Sequence, residues 1–215
     1  MTFDQQLNSF GVVPFSHGSL LPMLEEYRRP NDKIASMLAR GDIVQLRRGL
    51  YILGPARRTG PVSLPLVANL LSGPSYVSLD FALSWHGLIP EGVLEVSSVT
   101  TRRASIYDTP LGQFSYTRLP LPFYRVGVLQ AQNMDGTAFL MATPEKALCD
   151  KVALTRNLPV FSIADMQTFL IEDLRLDTTL LQTMDLSIIN GCVEASFKQR
   201  QMRLLLRALE TMQCQ

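Results

Sequence analysis

Residues 30–53 read PNDKIASMLARGDIVQLRRGLYIL, and this stretch decides how the N-terminal part of the chain folds. Asn31 is a strong N-cap residue, Asp32 suits the positive start of a helix, and Gly41 suits its stop. The spacing predicts a helix over Asp32–Arg40. At about 100° per residue, Ile34, Met37 and Leu38 fall on one side of it, and Lys33, Ser36 and Arg40 on the other. Beyond Gly41, the β-prone runs 43–46 and 50–53 flank Arg47-Arg48-Gly49. That pattern predicts a hairpin whose glycine takes a positive φ.

Helices followed by a compact hairpin describe a winged helix-turn-helix. One face of such a helix docks it, and the other enters the major groove, where Lys and Arg reach guanine or phosphate and Ser reaches either. Lys33, Ser36 and Arg40 are the candidate base-facing residues, with Asn31 at the helix start. Arg28, Arg29, Arg47 and Arg48 are candidate phosphate contacts, since arginines on a wing tip meet the backbone or the negative minor groove. The plainer readings are a solvated surface helix and a charged edge that discourages sheet association.

Upstream, residues 3–10 form a short helix candidate, and Ser19 is a cap for a second helix to about Tyr27. Downstream, residues 54–65 (GPARRTGPVSLP) read as a linker. The expected organisation is α+β: a winged helix over 1–55, a linker over 56–61, and a larger mixed α/β domain over 62–215. In that domain, helices are expected over 62–71, 78–86 (capped by Ser78), 144–154 (capped by Thr143), 162–171 and 194–212. Strands are expected over 94–100, 113–119, 126–132 and 137–141.

Composition narrows the function classes. The chain has 215 residues, 47% of them hydrophobic, which is ample for a buried core. Twenty basic and 19 acidic residues leave a net charge of +1, so any nucleic-acid surface is local. The basic residues of the first sixty positions all lie between Arg28 and Arg58. Three widely spaced cysteines argue against a disulfide framework, and two histidines without a close cysteine pair argue against zinc. With no basic leader and no run of about 20 apolar residues, a cytoplasmic protein without a membrane partner is expected.

Enzymatic signals are thin. No G-x-S-x-G, Walker A or G-x-G-x-x-G occurs. Cys149 and His86 are a formal dyad, but Cys149 lies in an apolar helix pattern and His86 at a helix end. Asp80, Glu145 and Asp150 are candidates for metal-dependent phosphodiester chemistry, though Glu145 suits a helix start and Asp150-Lys151 reads as an ordinary charged pair facing solvent. No catalysis, metal or cofactor is expected. On the last helix, Arg200, Arg203 and Arg207 share one face and form a candidate secondary basic surface for DNA backbone or an acidic partner; the plainer reading is a solvated flank.

Three segments in order, GDIVQLRRGLYIL, YVSLDFALSWHGLIPE and MATPEKALCDKVAL, resemble the antitoxin family of abortive-infection type IV toxin–antitoxin systems, the AbiEi-like transcriptional regulators. The resemblance spans roughly residues 20–155. It implies a winged helix that binds promoter inverted repeats and represses its own operon, and a C-terminal domain with antitoxin activity. It also implies a nucleotidyltransferase-like toxin as functional partner, whose effect is countered without necessarily forming a stable complex. By position, the family's recognition helix falls on residues 32–40 and its wing tip on Arg47-Arg48-Gly49. An operator palindrome would take two copies of the chain. The rival readings are an orphan regulator, a protein-interaction module, and a metal-dependent nuclease or transferase.

Overall fold

The structure, a computed structural model, describes residues 2–214 and is α+β. It opens with α1 (Phe3–Asn8), held by a capping box in which the Thr2 hydroxyl accepts from the Gln5 amide. A two-residue strand β1 (Phe15–Ser16) leads into α2 (His17–Leu20), and the chain tightens into a 3₁₀ turn over Leu21–Leu24. The cap of α2 is Ser16, so the longer helix expected from Ser19 does not form. Pro22 lies within the 3₁₀ turn; a proline lacks the N–H that an ongoing α-helix would need there.

Next comes α3 (Pro30–Ala39). It begins earlier than expected because Pro30, with its fixed φ, takes the first helical position. Arg29 therefore sits at the N-cap, with no side-chain cap bond, and Asn31 is not the cap. Arg40 is the C-cap, and Gly41 follows with φ +73°. Strands β2 (Ile43–Arg47) and β3 (Leu50–Leu53) form the expected hairpin, with Gly49 at φ +78°. The small sheet has order β1-β3-β2.

The hairpin serves two cores. Side chains alternate across a strand, and along β3 Tyr51 and Leu53 join Leu7, Phe15, Leu20, Leu24, Ile34, Met37 and Ile43 in an N-terminal core. Leu50 and Ile52, with Leu46 of β2, join the larger core. The segment after β3 is not a free tether. Gly54 donates its amide to the Asp42 carbonyl at 2.8 Å, and Arg58 Nε donates to the Leu53 carbonyl at 2.7 Å. A Cβ on Gly54 would stand 1.8 Å from the Gly41 carbonyl oxygen, so only glycine fits this approach.

The larger unit begins with α4 (Leu64–Leu71), capped by Ser63, then β4 (Ser75–Val77) and α5 (Leu79–Trp85). β5 (Val96–Thr100), β6 (Ser105–Thr109) and β7 (Gly112–Arg118) precede the short α6 (Leu121–Tyr124). β8 (Val128–Gln132) and β9 (Ala138–Ala142) lead to α7 (Pro144–Leu154), capped by Thr143 as expected. The sheet order is β6-β7-β5-β4-β9-β8, with β5–β7 and β4–β9 parallel and the other pairs antiparallel.

The C-terminal part is helical. α8 (Ile163–Thr168) runs into a π turn over Phe169–Asp173, followed by α9 (Thr178–Gln182), α10 (Leu186–Ala195) and α11 (Gln199–Gln213). The single helix expected over 194–212 is therefore two. Ser196 turns extended (ψ 140°) and takes the chain out of helical geometry between α10 and α11. No helix among the described residues is long and apolar enough to cross a membrane.

Asp150, expected at the surface, is fully buried in α7. Lys146 Nζ stands 2.8 Å from its Oδ1, while Ser78 Oγ and Tyr76 Oη donate to Oδ2 at 2.7 and 3.0 Å. The same ammonium donates to the Phe123 carbonyl at 2.7 Å and lies 3.6 Å from the Phe123 ring centre. Ser78 occupies the N-cap position of α5, but its hydroxyl serves Asp150 instead. Burial pushes the Asp150 carboxyl above its ordinary range, against the opposing pull of Lys146, Ser78 and Tyr76.

Candidate nucleic-acid interface

The two elements singled out by the sequence lie side by side. His17, just after β1, joins them. Its backbone amide donates to the Gly49 carbonyl at 2.9 Å in the hairpin turn. Its Nε2 lies 3.1 Å from Asn31 Oδ1 in the first turn of α3. An amide oxygen only accepts, so Nε2 carries the proton in this contact. The hairpin tip and the helix start are thereby held within one residue's reach of each other. Neither composition nor motif pointed to His17; the only signal was a histidine among small polar residues, which is weak.

The arginines of this surface differ in freedom. Arg28, Arg47 and Arg48 are exposed and have no acidic partner among the described residues. Arg47 Nη1 donates to the Arg48 carbonyl at 3.3 Å, which bends one guanidinium along the turn. A register shift between Gln45 and Arg47 marks a bulge there, which sharpens the twist of the strand before its tip. Arg29 is exposed and lies 3.6 Å from Asp32 one turn along, a surface pair worth little in water.

Two of the three expected base-facing residues are engaged within the chain. Arg40 pairs with Asp42, Nε at 2.8 Å and Nη2 at 2.6 Å from Oδ2. Lys33 Nζ stands over the rings of Tyr27 and Phe3, at 4.9 and 5.4 Å from their centres. Ser36 is exposed without a side-chain partner among the described residues. Asp42 also accepts from Arg57 Nε at 2.9 Å, and Arg57 reaches Asp4 at 3.1 Å and Asn8 at 3.2 Å. Hydrogen bonds from Arg40 and then Arg57 hold the Asp42 carboxyl below the usual carboxylate range. Arg57 is thus a clasp between α1 and the loop after α3. Its partners on α1 lie about fifty residues away along the chain, so nothing local to Arg57 announces this role.

The secondary basic surface is exposed on α11. Arg203 donates to Gln199 at 2.9 Å, Arg200 lies 5.5 Å from the Phe161 ring, and Arg207 is exposed with no acidic partner among the described residues.

The residues of the enzymatic readings do not come together. Asp80 pairs with Lys151 at 2.7 Å, Glu145 accepts the Asp185 amide at 3.1 Å, and Asp150 is enclosed by Lys146, Ser78 and Tyr76. Among the described residues no three His, Cys, Asp or Glu side chains gather as a metal site. His86 donates from Nε2 to the Ala142 carbonyl at 2.9 Å, and Cys149 is buried beside Cys192. No protein-family model matches this chain, and no curated protein matches it.

Proposed function

We propose that the chain is a sequence-specific DNA-binding repressor, with residues 1–55 acting as a winged helix-turn-helix and residues 62–215 as a C-terminal antitoxin domain. The observation that carries this reading is the His17 link, which sets the Arg47-Arg48-Gly49 turn beside the first turn of α3. Arg28, Arg29, Arg47 and Arg48 then flank one surface as phosphate contacts, and Ser36 and Asn31 offer polar groups to base edges. Lys33 and Arg40 act from fixed positions, held by aromatic rings and by Asp42. The antitoxin setting rests on the resemblance of residues 20–155 to the AbiEi-like regulators. Within it, the DNA is the chain's own promoter and the functional partner is a nucleotidyltransferase-like toxin.

The test is a salt titration of binding to the upstream intergenic DNA. Each phosphate contact contributes about −0.9 to the slope of log affinity against log salt. Removing both wing charges, R47A/R48A, is expected to make that slope shallower by about 2 and to weaken binding to specific and random DNA alike. Unchanged affinity and slope would remove the wing from the interface. Co-expression with the neighbouring toxin reading frame tests the antitoxin role, and continued growth arrest would reject it.

A further inference from the structure

The two edges of the six-stranded sheet are finished differently. β6 carries Asp108, follows Arg102-Arg103, is followed directly by Pro110 and lies beside the β2 strand of the hairpin. Charge, proline and cover are the usual means by which proteins keep an edge from pairing. β8 has none of the first two: from Gly127 to Met134 the chain reads GVLQAQNM, without a charge or a proline.

The ladder fixes which backbone groups β8 leaves open. Thr143 donates to the Gly127 carbonyl and Asn133 to the Thr137 carbonyl at the two ends of the β8–β9 pair. With Leu129 opposite Met141 and Ala131 opposite Phe139, the odd-numbered residues of β8 bond inward. The amides and carbonyls of Val128, Gln130 and Gln132 therefore point outward, and none has a partner among the described residues. On β9 the comparable gaps are closed by side chains: Asn69 bonds both backbone groups of Leu140, at 3.2 and 2.6 Å, and His86 bonds the Ala142 carbonyl. The fold satisfies its inner gaps and leaves this outer one to solvent.

We propose that the outer edge of β8 pairs antiparallel with the same edge of a second copy of this chain, about a two-fold axis at Gln130. The register is self-matching. Gln130 meets Gln130, Val128 meets Gln132, and Leu129 meets Ala131, so every outward backbone group finds a partner and no like charges are opposed. The half-exposed Trp85 and the fully exposed Met134 line an apolar groove of about 380 Å³ with Gln132 and Asn133, at the end of the same strand. A second copy laid along β8 covers that end. The inference stands on the strand edge alone and does not rest on DNA binding, although an inverted repeat also calls for two copies.

Sedimentation of the full chain without DNA tests it. The wild type is expected to sediment as a dimer at micromolar concentration, and Q130K and Q130P as monomers with unchanged circular dichroism. Q130K sets two cations opposite each other, and Q130P removes the central amide, which the monomer does not use. As a check that needs no destabilised edge, Q130C in a C214S background is expected to cross-link on air oxidation. Facing residues lie about 5.5 Å apart between Cα atoms, within disulfide reach. Q132C is expected not to cross-link, because each Gln132 faces a Val128. A wild type that stays monomeric overturns the proposal. So does a dimer that survives both edge variants, cross-linking that ignores register, or an edge that captures only a foreign extended peptide while the chain remains monomeric. None of these outcomes bears on the salt dependence of DNA binding.

Discussion

Two ionic clusters in this molecule use the same chemistry at opposite extremes of burial. In the larger unit, Lys146 and Asp150 are both fully buried and meet at 2.8 Å. In the N-terminal unit, Asp42 holds Arg40 and Arg57, with side chains between 17% and 55% exposed. The buried cluster has no solvent to fall back on, so each member is obligatory once the other is present. The surface cluster exchanges protein partners for water at small cost. The same contrast separates pairs the fold cannot lose from pairs it can exchange for water.

The largest expected effect follows from breaking the buried pair. D150A leaves the Lys146 ammonium with one carbonyl and the Phe123 ring, and takes the acceptor from Tyr76 and Ser78. A loss of about 3–5 kcal/mol is expected in urea unfolding. K146M/D150N removes both charges while keeping an acceptor for the two hydroxyls, and is expected to be more stable than D150A. If the double variant is no better, the cost lies in lost packing and the ionic account of α7 is wrong.

A middle effect sits at the junction after the hairpin. G54A puts a methyl group where the Gly41 carbonyl already stands, and the strain of such overpacking is about 1–3 kcal/mol. Because Gly54 also bonds the Asp42 carbonyl, the displaced backbone would unseat the Asp42 cluster as well. A G54A protein of wild-type melting temperature would mean that the segment after β3 yields, as a linker would.

How much of this was legible in the sequence depends on the range of the interactions. The hairpin, the Gly49 turn and the Thr143 cap were readable because each is decided within a few residues. So were most strands of the larger sheet, through their β-prone runs. Asn31 was misjudged as a cap because proline at the first helical position outranked it. β4 is three residues long and was missed, although it is central to the sheet; its placement comes from partners at 98–100 and 141. Asp150 read as surface because a charged residue beside Lys151 ordinarily is, and nothing local announces that Tyr76 and Ser78 await it. Of the candidate site, the arginines were legible and their freedom was not. The rings that hold Lys33 belong to other turns, and the link through His17 spans 14 residues to Asn31; the Arg40–Asp42 pair is local, but it competes with the outward position that the helix pattern gives Arg40.

The smallest effect is also the one with a definite pH signature. The Asp42 carboxyl is held below its ordinary value of 3.8 in the folded chain. A group with a depressed folded pKa contributes stability above its unfolded value and loses it as pH falls through the folded one. Exposed pairs of this kind contribute about 0.2–1 kcal/mol. D42N is therefore expected to cost about that much at neutral pH. It should match the wild type in acid below both values, where the native carboxylate is itself protonated. The check is urea unfolding of both proteins at neutral pH and again at successively lower pH, where the difference between them should shrink. D42N also releases Arg40 at the end of α3, so under the repressor reading it should strengthen nonspecific DNA binding while weakening the fold slightly. A D42N deficit that persists unchanged into acid would place the cost in the fit of the side chain between Arg40 and Arg57 rather than in its charge.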